Sequence, residues 1–266
     1  MLVAVLILAI IEGLTEFLPI SSTGHLVVAA GLLDFRPEWR EPFLVVIQLG
    51  AIFAIVVLRW KEIAGLFTGG MKRLFDIGVK LALGFVPSAA LGFIFHHKIS
   101  ELLKNPKGVS IAWIVGGIII LALDRKAAAP SPTDTDPLDT VTPKQALLVG
   151  LCQCLALWPG MSRSGSTIIG GLAVGLDRRA ATLFSFYLAI PTMLAASGYE
   201  LLKNKDKLSG SGTAFALGMV VSFLVAWATV RWLVKFVQSH TFRGFAIYRI
   251  VAGALLLLVP AEWLSE

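Results

Sequence analysis

Two carboxylates, Glu12 and Glu16, stand four residues apart in an otherwise apolar stretch, and Ser21, Ser22, Thr23 and His25 follow them. On a helix, that spacing places both carboxylates on one face, about a turn apart, where like charges repel more strongly as the dielectric falls. Something positive must compensate them. A second polar segment, Pro159-Gly-Met-Ser-Arg-Ser-Gly-Ser-Thr167, answers in the other half of the chain with Arg163 among the hydroxyls of Ser162, Ser164 and Thr167. Ser and Thr favour helix N-caps, but one hydroxyl suffices for a cap. The remaining hydroxyls are candidates for a nucleophile and for phosphate contacts, and His25 is a candidate general acid or base. Helix N-terminal amides, hydroxyls and a guanidinium together form an anion site, since arginine grips phosphate oxygens in a bidentate fork. The segment lacks the lysine and glycine spacing of a P-loop, which excludes a nucleotide site of that kind.

Charge bookkeeping extends the reading. Two carboxylates and one arginine carry about −1, and a diphosphate adds further negative charge. A divalent cation, Mg²⁺ or Ca²⁺, with Glu12 and Glu16 as ligands would relieve the excess.

These groups lie in a chain of 266 residues that is 56% hydrophobic and 15% charged, which excludes an ordinary soluble domain. Ionisable groups at membrane depth are costly and mark functional sites. The net charge of +6 falls mainly on loops, against a nucleic-acid surface. Cys152 and Cys154 lack companion ligands and read as structural thiols.

Spanning helices are expected over 42–59, 78–96, 109–124, 180–200, 214–231 and 245–260. The stretches 1–33 and 144–176 are broken centrally by Pro, Gly and polar residues, and read as re-entrant helix hairpins. The run Leu2–Ile11 is read as part of the mature protein, not a signal peptide. Residues 125–143 form an extra-membrane linker, closed by Thr142 as N-cap and Pro143 at the first helical position. The expectation is thus an all-α integral membrane protein with one membrane domain. Each half, about 1–124 and 144–266, comprises a re-entrant hairpin plus three transmembrane helices.

The halves repeat. At an offset of 141, Glu12 meets Gln153, Ser21 meets Ser162, Gly24 meets Gly165 and Phe43 meets Phe184; Gly84 and Ser88 recur as Gly218 and Ser222. Three spans per half is an odd number, so the second half must insert upside down, giving an inverted-topology repeat. Lysines and arginines divide thirteen against eight between the two sides, which puts the richer side in the cytoplasm and both termini outside. The hairpin tips would then meet near the midplane. Gln48 is expected either to line the site or to make an interhelical hydrogen bond, Arg249 has no assigned role, and His96, His97 and His240 fall near span ends.

Residues 12–25 and 159–167 resemble the two signature motifs of the undecaprenyl-diphosphate phosphatase family, bacterial membrane proteins associated with bacitracin resistance. The resemblance covers essentially the whole chain. It implies hydrolysis of a C55 isoprenyl diphosphate to its monophosphate, which recycles the lipid carrier for cell-wall polymers, in the cytoplasmic (inner) membrane with the site facing the periplasm or outside. It also implies a homodimer. On its motifs, Glu12 and Glu16 match the acidic pair, Ser22 the nucleophile or phosphate-contacting serine, and His25 the motif histidine. Thr23, Ser162 and Arg163 match phosphate-binding positions; Ser21, Ser164 and Thr167 join them as candidates. The alternative is a secondary transporter or flippase of isoprenyl phosphate lipids, because inverted repeats with broken helices are also the transporter plan.

Overall fold

Apolar runs interrupted at two places by Pro, Gly and hydroxyl residues dictate the architecture of the computed structural model, which describes residues 1–103, 105–124, 137–204, 206 and 212–259. Among these residues every regular element is a helix. The first broken stretch folds as α1 (Leu2–Thr15), a turn, and α2 (Ser22–Leu32). Next come α3 (Arg40–Leu58), α4 (Trp60–Thr68), α5 (Met71–Ile94), α6 (His96–Leu103) and α7 (Pro106–Asp124). A short α8 (Pro137–Thr140) leads to the second broken stretch: α9 (Pro143–Gln153), a 3-10 turn over Cys154–Leu157, and α10 (Arg163–Ala173). The chain ends its described course with α11 (Arg178–Lys203), α12 (Gly212–Ser239) and α13 (Arg243–Leu257).

Among the described residues five helices, α3, α5, α7, α11 and α12, are long and apolar enough to cross a membrane. The sixth expected span, 245–260, differs: α13 covers only 15 residues and ends at Leu257. Pro260 explains the stop, since a proline disfavours helical backbone at the residue before it. Residue 260 itself, and 125–136 of the expected linker, lie outside the described residues. The structure also begins α5 seven residues ahead of the expected 78 and adds α4, α6 and α8. Charge at Lys72, Arg73 and Asp76 marks where apolar character ends, not where the helix does.

Local signals set the helix starts. Thr142 and Gln145 form a reciprocal capping box around Pro143. Asp177 Oδ1 accepts from Ala180 N at 2.8 Å to open α11. Ser21 and Ser162 cap α2 and α10 in the same way, each accepting from the amide three residues on, Gly24 and Gly165.

Packing is reciprocal between the halves. α1 lies on α12, and α9 on α5; α3 meets α11, and α7 meets α13. Gly84 of α5 faces Leu188 of α11, while Gly218 of α12 faces Ile47 and Phe43 of α3. The core cluster runs through both halves, from Phe17 and Ile55 to Phe184, Phe186 and Val230. A second cluster with Phe35, Phe43 and Phe215 seals α1 and α2. At the other end of the helices, Arg178 Nε donates to Asp124 Oδ1 at 2.7 Å, and Phe242 N donates to Asp124 Oδ2 at 2.9 Å. That buried knot ties the ends of α7, α11 and α13 together.

Candidate active site

The two polar turns meet. Arg163, the first residue of α10, donates from Nη2 to Glu16 Oε1 at 2.8 Å, with both side chains largely buried. Ser22, the first residue of α2, donates from Oγ to the other oxygen of the same carboxylate. Ser164 Oγ donates across to Leu18 O at 2.8 Å. One hairpin thus supplies acid and alcohol, the other supplies the guanidinium, and Glu16 is the hinge between them.

The turns that deliver these groups are strained. Ser21 and Ser162 hold φ values of 73° and 75°, in a region that residues other than glycine rarely occupy. Such backbone persists only where surroundings enforce it, and it concentrates at functional sites. Sequence reading found both serines but not the strain; their pairing at the offset of 141 was the available signal.

Glu16, Ser21, Ser22, Thr23, Ser162 and Arg163 line one end of a cavity of about 520 Å³. Gln48 and Gln153 line it too. Beyond them the walls turn apolar, with Phe85, Ala89 and Phe93 of α5 and Met193, Ala195 and Ala196 of α11. His96, Tyr199 and Glu200 stand at the far rim, His96 Nε2 lying 3.5 Å from Glu200 Oε1. A polar end against an apolar trough suits a ligand with an anionic head and a hydrocarbon tail, and the volume falls within the range of small-molecule sites.

Other expected residues sit elsewhere. Glu12 is fully buried behind this surface; Glu16 and Arg163 are the charged groups that face it, and among the described residues no N–H or O–H donor is placed on either of its oxygens. His25 does not line the cavity. Its Nδ1 lies 2.7 Å from Ser21 O and its Nε2 2.6 Å from Tyr248 Oη, with the Trp113 ring tilted against it at 4.6 Å between ring centres. Thr167 Oγ1 pairs with Ser185 Oγ at 2.6 Å, behind the arginine, and Ser164 is spent on Leu18. Sequence reading missed the groups that steady Arg163: Ser185 O accepts from Nη1 at 3.2 Å, and Met193 Sδ lies 3.1 Å from Nη2. Its Nε is buried with no hydrogen-bond partner among the described residues. Carbonyl and thioether acceptors leave no signature in a sequence.

The family model described as bacitracin resistance protein BacA matches residues 5–255. The chain belongs to this family. Relatives named undecaprenyl-diphosphatase align over nearly its whole length. The protein from Albidiferax ferrireducens is 46% identical over 263 residues, covering 97% of this chain and 94% of that one. Undecaprenyl-diphosphatase 1 of Burkholderia ambifaria is 47% identical over 267 residues, with coverage of 98% and 96%. The Nitrosospira multiformis relative is 47% identical over 256 residues, with coverage of 95% and 93%. As a BacA-family chain with five helices able to cross a membrane, it is a multi-pass membrane protein.

Proposed function

We propose that this BacA-family protein is a membrane hydrolase that converts undecaprenyl diphosphate to undecaprenyl phosphate and inorganic phosphate. In so doing it recycles the carrier for cell-wall polymers and confers bacitracin resistance. The relatives' names support the reaction, and the observation that carries the site is the Ser22–Glu16–Arg163 contact at the polar end of an apolar trough.

The chemistry follows from those three groups. Ser22 Oγ attacks the terminal phosphorus as Glu16 takes its proton, and undecaprenyl phosphate leaves as the anhydride bond breaks. Water then attacks the phosphoserine phosphorus, inorganic phosphate departs, and the serine oxygen regains a proton. Arg163, drawn off Glu16, spans the phosphoryl oxygens, where charge develops and a fixed cation counts most. Thr23 and the caps Ser21 and Ser162 add donors around the head. His25 acts at one remove, steadying the Ser21 turn from outside the cavity.

Glu12 and Glu16 also bear on a metal. The unpartnered buried oxygens of Glu12 fit a cation, although no group of three or more His, Cys, Asp or Glu side chains is gathered among the described residues. Magnesium and calcium sites in phosphoryl transfer complete their shells with substrate oxygens and water, so a carboxylate pair suffices. Glu12 and Glu16 would hold the ion, which would supply charge neutralisation for the diphosphate.

The rim residues His96, Tyr199 and Glu200 lie beside the C-terminal ends of α5 and α11. On the charge-based orientation those ends face outside, so the cavity opens to the periplasmic face of the inner membrane, with both termini outside. The reciprocal helix packing supports reading the halves as an inverted repeat with re-entrant hairpins. A homodimer completes the proposal by family resemblance alone.

Phosphate release in detergent micelles tests the site, because micelles have no sides across which to transport. Turnover should fall at least about 100-fold in both Ser22→Ala and Arg163→Ala, as for loss of a nucleophile or an oxyanion donor. Release unchanged in both would reject the assignment.

A further inference from the structure

Arg249 belongs to no part of the chemistry above, yet it is the largest fully buried side chain in the molecule's described residues. It projects from α13, a helix that contributes no residue to the cavity wall. A buried guanidinium normally finds a carboxylate. Arg249 instead spends all five of its N–H donors on backbone carbonyls. Nε donates to Trp113 O at 3.2 Å, and Nη2 to Ala112 O at 3.0 Å and Gly160 O at 3.1 Å. Nη1 donates to Pro19 O at 3.2 Å and Met161 O at 2.9 Å.

The identity of those acceptors is the point. Pro19 lies in the turn that delivers Ser21 and Ser22; Gly160 and Met161 lie in the turn that delivers Ser162 and Arg163. Ala112 and Trp113 anchor the guanidinium to α7. Both turns hold a serine at positive φ, which needs external support. One planar fork grips both turns from behind and fixes their distance.

We propose that Arg249 is a positioning residue that sets the register between the two site turns, so that Ser22 and Glu16 of one face Arg163 of the other. This rests on the site reading above. A lysine keeps the charge but has three donors on a flexible stem and cannot reproduce five bonds from a fixed plane. Charge alone therefore does not substitute for the fork. A second handle exists at Gly116 of α7: a Cβ there would occupy the position of Arg249 Nη2, pushing the guanidinium aside while leaving it in the chain.

The experiment measures phosphate release by full-length Arg249→Lys and Gly116→Ala proteins in micelles, alongside thermal unfolding. Both should unfold within a few degrees of the parent. In both, kcat should fall about 100-fold with KM changed less than about threefold, because displacement of reacting groups by about an ångström costs that much in the transition state. Parental kcat in either folded variant, or a loss confined to KM, would overturn the proposal. So would failure of both variants to fold, which would make Arg249 a support of the bundle only. Ser22→Ala and Arg163→Ala, measured beside them, separate the two readings. If those retain activity the site assignment fails; if they are dead while Arg249→Lys is fully active, only the present inference fails.

Discussion

Ser22 and Arg163 compete for one carboxylate, each holding a different oxygen of Glu16. Substituting Glu16 by Gln keeps the shape and removes the base, so turnover should drop between about 100- and 10,000-fold, the usual worth of a positioned proton acceptor. Tyr248→Phe makes the opposite case. It deletes the bond to His25 Nε2 at the molecule's flank, and one neutral hydrogen bond contributes about 1 kcal/mol. Activity should therefore fall less than about tenfold. Parallel phosphate-release assays of the two variants check both outcomes, and a Tyr248→Phe protein as inactive as Glu16→Gln would return His25 to the chemistry itself.

Helices approach closely where the sequence supplies glycine. A Cβ on Gly150 of α9 would lie 2.6 Å from Gly84 O and 2.7 Å from Leu83 O of α5; one on Gly13 of α1 would lie 2.7 Å from Ser222 O of α12. Small residues at such contacts let backbones meet, which is the main route to helix association in lipid. Gly150→Leu should destabilise the protein by about 1–3 kcal/mol through overpacking, read as lower thermal stability in micelles. The broken hairpins were legible in the sequence because Pro, Gly and hydroxyls cannot cross lipid as one helix. The 3-10 turn at Cys154–Leu157 was not, since an apolar run of four residues has no distinctive period; α4 and α6 mix charged and apolar residues over eight or nine positions, too short and too polar to read as spans. The motif residues were legible by type and spacing, and Glu16, Ser22 and Arg163 do come together. That His25 points to α13, and that Arg249 holds carbonyls, depends on partners more than 85 positions away that no local pattern encodes.

At the scale of the whole protein, a chain of net charge +6 draws two acids, Glu12 and Glu16, together with Arg163 at its site. A diphosphate would bring further negative charge beside Glu16, which a divalent cation would neutralise. Activity should fall to background in excess chelator and return on adding back Mg²⁺ or Ca²⁺, measured as phosphate release; full activity in chelator would remove the ion from the scheme.

The cavity of about 520 Å³ has a further consequence. On the proposed function it would take the head group and only part of a 55-carbon tail, and the remainder would stay in the bilayer. The protein would then hold its substrate by one end while the membrane carries the rest, so that dewetting the long hydrocarbon would be no part of turnover.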